Sequence, residues 1–234
     1  MDHQPKKCWI CGDDAVTGEH MIKASDLRAQ FGHFSQHKPL YMHFGRARNV
    51  PIRGKNVALL KYNDTLCAKC NNERTQRHDR AWEKLSNYLI SNESPISKNM
   101  ARLDLSKVYG SNVANELVNL QLFFVKQFGC LIVENTVPMD VSEFAKCILE
   151  NRPHPDIFLE VGTGFEDSRA KLVSRTALNT LAYDEKICFG HWVYIVDIVA
   201  VRVYYANCAH RRYGVLKHTV HPLQPRKRLR IVRH

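Results

Sequence analysis

The segment Leu66-Cys67-Ala68-Lys69-Cys70-Asn71-Asn72 decides the fold of the first part of the chain. Its two cysteines have the C-x-x-C spacing of a metal knuckle, and a second such pair stands upstream in Cys8-Trp9-Ile10-Cys11-Gly12. In a reducing compartment this paired spacing indicates metal binding more often than a disulfide. Four thiolates suit a closed tetrahedral zinc site. We therefore predict one structural zinc ion per chain, held by Cys8, Cys11, Cys67 and Cys70; the alternative is four ordinary buried or free thiols.

The second C-x-x-C pair also opens a predicted helix. Ala81, Trp82, Leu85, Tyr88 and Leu89 recur at helical spacing, which predicts a helix from Asn71 to about Ser91. A knuckle that runs directly into a helix is the arrangement of a treble clef. The other cysteines (Cys130, Cys147, Cys188 and Cys208) stand alone in apolar segments and are expected to behave as small hydrophobic residues.

The charge of the chain indicates a polyanionic partner. The net charge is +11 over 234 residues, whereas the 44% hydrophobic and 24% charged content is ordinary for a globular protein. Residues 1–94 carry fifteen Lys and Arg against ten Asp and Glu, and residues 95–210 carry eleven against thirteen. Residues 211–234 carry eight basic side chains and no acidic one. This basic tail is either a second contact for the polyanion or a solvated end.

No membrane segment is expected. The longest apolar stretch, Trp192–Ala206, is interrupted by Asp197 and Arg202 and is typical of strands. The first residues, Met-Asp-His-Gln-Pro-Lys-Lys-Cys, contain no apolar signal core. We expect a soluble, cytoplasmic protein.

Turn residues and periodicity predict further elements in the first part of the chain. Ser25-Asp26 is expected to cap a short helix over Leu27–Phe31, and residues 32–49 are expected to form a loop. Val50–Ile52 and Asn56–Lys61 are expected to form a hairpin around Arg53-Gly54-Lys55.

The second part of the chain is predicted to be an α+β domain. Helices are expected over Ser111–Gln127, Ser142–Glu150 and Ser168–Leu181, and strands over Ile157–Val161 and around Ile187–Ala206. Pro95, within Asn92–Ser97, indicates a boundary between a zinc-stapled domain over 1–92 and a mixed α/β domain with the basic tail over 98–234. The second domain is a candidate surface for an oligomer or an effector partner.

Polar residues with a recognisable order accompany the knuckles. Glu19-His20 follows the first pair, Asn63 precedes the second, and Asn71 follows Cys70 directly. Over residues 1–92 this set resembles the HNH endonuclease family, whose pattern is C-x-x-C, an acidic residue and His, a middle Asn, and C-x-x-C followed by Asn or His. The resemblance implies a treble-clef ββα-metal fold and a structural zinc.

The resemblance also implies a role for each of these residues. Glu19 and Asn71 would bind a catalytic Mg²⁺ or Mn²⁺, for which oxygen ligands are suited. His20 would be the general base that activates water, because an imidazole titrates near neutral pH. Asn63 would brace the loop that orients His20, although Asn56 or a neighbour is an alternative because Asn63 lies close to Cys67.

His78 lies two helical turns beyond Asn71. It is a candidate second ligand on the helix or a phosphate contact. The alternative is a hydrogen-bonded histidine at the edge of the core, since His78 also falls on the stripe that leads to Trp82 and Leu85.

Basic residues near this set are candidate phosphate contacts. Such contacts bind nucleic acid with little sequence preference, and the alternative is a solvated surface supported by Glu73–Arg77 pairing. The candidates are Arg46, Arg48, Arg53, Lys55, Arg74, Arg77 and Arg80.

Two functions follow from the sequence. The first is a metal-dependent HNH endonuclease that hydrolyses phosphodiester bonds in nucleic acid, with DNA as the expected substrate. The second is a non-catalytic zinc-knuckle module that binds nucleic acid or a protein partner.

Overall fold

The fold mixes helices with antiparallel strands, as the α+β prediction requires. The computed structural model describes residues 6–54, 56–63, 65–92, 102–163, 171–207, 214–225 and 228–233. The elements of the first part are α1 (Ala24–Phe31), β1 (Leu40–Phe44), β2 (Ala47–Ile52), a 3₁₀ turn (Ala58–Leu60), a π-helical turn (Lys69–Arg74) and α2 (Gln76–Ser91).

The hairpin of the first part lies earlier in the chain than predicted. β1 pairs with β2 from Leu40↔Ile52 to Phe44↔Ala47. The predicted loop over 32–49 therefore contains all of β1 and the first half of β2. The prediction of a hairpin around Arg53-Gly54-Lys55 is wrong, because the segment after β2 forms the 3₁₀ turn instead. The chain reverses at the turn Gly45-Arg46, where Gly45 has a φ of +54°, a conformation that favours glycine.

The second part is built on one long helix and one sheet. Its elements are β3 (Arg102–Asp104), α3 (Ser106–Tyr109), α4 (Val113–Glu134), α5 (Ser142–Glu150), β4 (Ile157–Thr163), β5 (Val173–Arg175), β6 (Asn179–Tyr183), β7 (Lys186–Val196), β8 (Val199–Ala206), a 3₁₀ turn (Val215–His218), β9 (Arg228–Arg230) and β10 (Val232–Arg233).

The main sheet has six strands in the order β10-β4-β8-β7-β5, with β6 also paired to β7. All of these pairs are antiparallel except β10 with β4. The predicted helix over Ser168–Leu181 is wrong in its described part, since β5 and β6 pair with opposite ends of β7. Pairing along the edge of a sheet outweighs the local helical pattern here. β3 and β9 form a separate two-stranded ribbon.

The two parts of the chain share one core. Trp82 of α2 stacks on Phe123 at a centroid distance of 5.8 Å, and it meets Phe124 and Tyr194 edge-on at 5.3 and 5.5 Å. One buried apolar cluster runs from Cys8 to Ile231. The predicted division into 1–92 and 98–234 is therefore not matched by two separate cores, and most of the predicted boundary, 93–97, lies outside the described residues.

Helix α4 is the central element of this core. It is long and apolar enough to cross a membrane by composition, but 78% of its most apolar window is buried inside the structure. That burial is typical of the core helix of a soluble protein. The helix covers the predicted Ser111–Gln127 segment and extends to Glu134.

Asp26 accepts hydrogen bonds inside the core and does not cap α1. Its Oδ2 accepts hydrogen bonds from Trp82 Nε1 at 2.9 Å and from the Tyr194 hydroxyl at 2.8 Å, and the residue is 3% exposed. Burial raises the pKa of Asp26 to about 6, although the two donors oppose the shift. A single oxygen thus joins α1, α2 and β7.

Two substitutions of Asp26 test separately the effect of its charge and the effect of its hydrogen-bond acceptor. In the natural protein the folded state binds the Asp26 proton more tightly than the unfolded state does. The contribution of this protonated group to the free energy of unfolding is therefore lost as pH rises from about 4 to about 6. We expect Asp26→Asn, which keeps an acceptor oxygen, to remove that decline from the free energy of unfolding measured against pH. Asp26→Ala leaves two buried donors unsatisfied and should cost roughly 2 kcal/mol. An unchanged pH slope in Asp26→Asn would contradict the assignment.

Candidate metal centre and the polar site beside it

The four predicted thiols come together in space. The Sγ atoms of Cys8, Cys11, Cys67 and Cys70 all lie within 4.8 Å of one another, and those of Cys11 and Cys67 are 3.5 Å apart. In the described part of the chain, they are the only group of three or more His, Cys, Asp or Glu side chains placed to hold one metal ion. The distances and the all-sulfur donor set suit tetrahedral zinc. The cluster could therefore hold a metal ion such as zinc, as predicted.

Local backbone geometry aims these sulfurs at one point. The first knuckle closes through hydrogen bonds from the Gly12 N–H to the Cys8 carbonyl and from the Cys8 N–H to the Asp13 carbonyl. Gly12 has a φ of +82°, a conformation that favours glycine. In the second knuckle the Cys70 N–H points at Cys67 Sγ, 3.4 Å away. Although burial opposes ionisation, this bond and neighbouring thiols lower the pKa of Cys67 below its ordinary value.

Arg74 belongs to this cluster. Its Nη1 lies 2.9 Å from Cys70 Sγ, and the guanidinium is half-buried on the turn that follows the second knuckle. A cation in this place stabilises thiolate charge. Arg74 was predicted as a phosphate contact, but its guanidinium is engaged with sulfur.

A two-stranded ribbon connects the two knuckles. Thr17 pairs with Leu66 and His20 pairs with Lys61 in antiparallel bridges, and the Tyr62 N–H donates to the Glu19 carbonyl at 2.9 Å. A Cβ at residue 18 would meet the Tyr62 carbonyl oxygen, so this close approach requires Gly18. The ribbon carries Glu19 and His20 on one strand and runs directly into the second knuckle. His20 is half-buried on it.

The two asparagines of the predicted site lie on either side of this ribbon. The Asn71 amide donates to the Thr17 hydroxyl at 3.2 Å, which ties the start of the helix to the strand that carries Glu19 and His20. The Asn63 amide instead donates to Glu134 of α4 at 2.7 Å on the surface. Asn63 therefore ties the ribbon, at a point between its two bridges, to the second part of the chain.

Glu19 is buried and contacts helix α4. Its Oε1 accepts from Gln127 Nε2 at 3.1 Å and its Oε2 lies 3.2 Å from Lys126 Nζ. The same Gln127 amide donates to the His20 carbonyl at 3.2 Å. Burial raises the pKa of Glu19 above its ordinary value, although the Lys126 ammonium opposes the shift. Two adjacent residues of α4 thus clamp the Glu19-His20 segment.

Lys126 is the cation of this site and was missed in the sequence. Its side chain is fully buried, and its Nζ lies 2.9 Å from Asp79 and 3.3 Å from the Thr75 hydroxyl, both at the start of α2. Burial alone would lower the pKa of Lys126, but Asp79 and Glu19 hold it above its ordinary value. The available signal was the pair Lys126-Gln127 within the apolar run of α4, because a charge in such a run must find partners.

The predicted catalytic cation does not fit these residues as they stand. Both oxygens of Glu19 are engaged by α4, and Asn71, whose amide nitrogen donates to Thr17, offers only its single amide oxygen as a ligand. Mg²⁺ and Mn²⁺ need several oxygen ligands with open positions for water. Here an ammonium group, rather than a divalent ion, neutralises the carboxylate.

The interpretation of His78 as a metal ligand or phosphate contact does not agree with its placement. The ring is fully buried and its Nε2 lies 3.2 Å from Asn151 Oδ1, at the end of α5. Burial lowers the pKa of His78 to about 4, so the ring is neutral near pH 7. The alternative, a hydrogen-bonded histidine of the core, describes this side chain.

The remaining candidate phosphate contacts form two exposed groups. Arg77 and Arg80 lie on the surface of α2, with Arg80 bonded to Gln76. Arg46, Arg48 and Arg53 are exposed on and after the β1–β2 hairpin. The predicted contact Lys55 lies outside the described residues.

Removing one thiol tests the metal centre. We expect the purified chain to release about one zinc ion on chelation, and Cys67→Ser to lose the ion and much of its folded structure, since structural zinc contributes folding free energy. Cys188→Ser is the matched control, because Cys188 is buried away from the cluster with its Sγ near the Leu181 carbonyl. Colorimetric zinc release and circular dichroism measure both effects. Equal zinc content in the two variants would exclude the cluster as the metal site.

Arg74 provides a second test. Arg74→Gln removes the cation beside Cys70 and should lower zinc affinity by roughly tenfold, as loss of an outer-shell partner typically does. Arg77→Gln, at an exposed position near the start of α2, should leave zinc affinity unchanged. Competition with a zinc chelator gives both values. Equal affinities would show that the Arg74–Cys70 contact contributes nothing to the metal centre.

Comparison with known proteins identifies no relative. No protein-family model matches the chain, and no curated protein or solved structure is significantly similar to it. Function is therefore inferred from the chemistry of the residues themselves.

Proposed function

We propose that this chain is an endonuclease of HNH type, built on a treble-clef ββα-metal module with a structural zinc. The observation that carries the proposal is the ribbon of residues 17–20, 61–63, 65 and 66, which runs into the helix that follows the second knuckle. It holds Glu19 and His20 beside Asn71 through the Asn71–Thr17 bond. The order of these residues along the chain is the one that the HNH resemblance implies, and it supports the proposal.

His20 is the proposed general base. The half-buried imidazole would take a proton from water as the oxygen attacks the phosphodiester, and an imidazole has a suitable pKa for this step near pH 7. Gln127 supports the role because it fixes both the His20 carbonyl and the neighbouring carboxylate. These bonds fix the backbone from which the His20 side chain projects.

The substrate of this proposal is nucleic acid, with DNA expected first. Arg77 and Arg80 on α2, together with Arg46, Arg48 and Arg53, supply exposed positive charge on the part of the chain that carries the ribbon. Such residues bind phosphates without reading sequence. A reducing cytoplasm suits the free thiols of the metal centre.

A divalent ion at this site would share Glu19 with the Lys126 ammonium group. Mg²⁺ or Mn²⁺ is the cofactor that the resemblance implies, but such an ion would have to compete with Lys126 for Glu19.

The proposal predicts metal-dependent nicking that requires His20. Purified protein is incubated with supercoiled plasmid, with and without added Mg²⁺ or Mn²⁺, and the rate of nicking is followed on gels. We expect His20→Ala to lower this rate at least about a hundredfold, the usual loss for a general base. His37→Ala is the matched control, because His37 is exposed and lies outside the ribbon.

Circular dichroism and zinc content confirm that both histidine variants are folded. Nicking that persists in His20→Ala would contradict the assignment of the base, and nicking without added metal would remove the divalent cofactor from the proposal.

A second function is favoured by the contact between Lys126 and Glu19. An ammonium group that already neutralises the predicted metal ligand is what a non-catalytic zinc module would show. Such a module binds nucleic acid or a protein partner without cutting. Its signature in the same assay is plasmid binding, seen as a gel shift, with no nicking under any metal condition and no difference between His20→Ala and the natural protein.

A further inference from the structure

A cleft of about 860 Å³ lies beside the ribbon and is not used by the proposed chemistry. One wall is the β1–β2 hairpin, the opposite wall is the segment 171–178 that contains β5, and the end of α4 closes the floor with Leu131 and Asn135. Its volume is within the range of sites that hold a small molecule or a nucleobase.

The hairpin wall exposes two aromatic rings. Tyr41 is 61% exposed and Phe44 is 42% exposed, although both line the cleft. Exposed aromatic rings cost hydrophobic free energy unless a partner covers them. Single-stranded nucleic acid covers such rings by stacking its bases on them.

The charge around the cleft is of one sign. None of the described residues that line it is acidic, whereas Lys171 and Arg175 are basic. Residues 27–63, which supply the hairpin, contain seven Lys or Arg and no Asp or Glu. The basic residues that line the cleft therefore attract a polyanion. Uncharged apolar ligands gain nothing from such a field.

The cleft is continuous with the ribbon through Arg175. This side chain lines the cleft, its Nη2 lies 2.9 Å from Met21 Sδ, and its guanidinium lies 5.5 Å from the centre of the Tyr62 ring. Met21 follows His20 in the chain, and Tyr62 follows Lys61, the strand partner of His20. The cleft therefore borders the ribbon at Met21 and Tyr62, the residues that follow His20 and Lys61 in the chain.

We propose that this cleft binds unpaired bases of single-stranded nucleic acid, stacked on Tyr41 and Phe44, with Lys171 and Arg175 near its phosphates. The inference rests on the proposed function for the choice of nucleic acid, and it adds a substrate class, unpaired rather than duplex strands. DNA and RNA share this stacking chemistry, and separate probes distinguish them.

Fluorescence anisotropy tests the proposal. The full chain, in buffer without chelator or added divalent ions so that zinc is retained and cutting is avoided, is titrated into fluorescein-labelled single-stranded DNA, single-stranded RNA and duplex DNA of one mixed sequence. We expect Tyr41→Ala and Phe44→Ala each to weaken single-strand binding by roughly tenfold. Binding to the duplex should change by less than about twofold.

Two controls separate stacking from loss of structure. Tyr41→Phe keeps the ring and should retain the natural affinity. Tyr183→Ala removes a ring that is 74% exposed on the β6–β7 hairpin, outside the cleft, and should have no effect. Thermal melting of every variant confirms folding.

The proposal is overturned if both alanine variants bind the single strand as the natural protein does, if they lose duplex binding equally, or if the natural protein binds no single strand. Because the readout is binding, it is independent of the nicking assay. If single-strand binding depends on the two aromatic rings but no nicking is seen, the proposed binding cleft is supported and the proposed nuclease activity is rejected. If the protein nicks plasmid but the alanine variants bind the single strand normally, the nuclease activity is supported and the binding cleft is rejected.

Discussion

The buried ammonium group of Lys126 is the constraint on which the arrangement of the site depends. A charge on a fully buried side chain is tolerated only where opposite charges and hydrogen-bond acceptors surround it. Asp79 and Thr75 from the start of α2 and Glu19 from the ribbon meet this requirement. Removal of one member of a buried ion pair typically costs roughly 3–5 kcal/mol of stability. The contacts of Lys126 therefore hold α2, the ribbon and α4 in one arrangement.

The thiol cluster and the Lys126 group act on opposite ends of the same ribbon. The cysteines fix where the ribbon leaves the first knuckle and where it enters the helix. Lys126 and Gln127 fix the Glu19-His20 segment further along. A short ribbon with only two isolated bridges would fray in water, because few backbone bonds hold it. The thiol cluster and α4 together replace the missing strand pairing.

The same geometry explains why the two halves of the chain do not behave as separate cores. Helix α4 carries the rings that pack on Trp82 and also the two polar residues that reach the ribbon. A substitution in α4 can therefore change the proposed site without touching the first part of the chain. The apolar floor of the cleft comes from the same helix, so the candidate binding face and the candidate base share one support.

Local patterns identified much of the fold. The helical stripe of α2 and the segment Ser142–Glu150 were predictable, because helix periodicity is a property of neighbouring residues. The hairpin and strand β5 were placed wrongly, since strand identity depends on partners elsewhere in the sheet. Asp26 was interpreted as a cap from its position before Leu27, whereas its partners, Trp82 and Tyr194, are distant in the chain.

By itself the sequence determined the four sulfur ligands, the excess of positive charge and the pairing of an acid with a histidine, because spacing and composition are local quantities. Only the tertiary structure decided what surrounds that acid. Glu19 accepts a hydrogen bond from Gln127, 108 residues away in the chain, and pairs with the ammonium group of Lys126. Both contacts form because α4 packs across the ribbon. Burial and charge pairing are set by which distant elements share a core, and no local pattern in the chain encodes that choice.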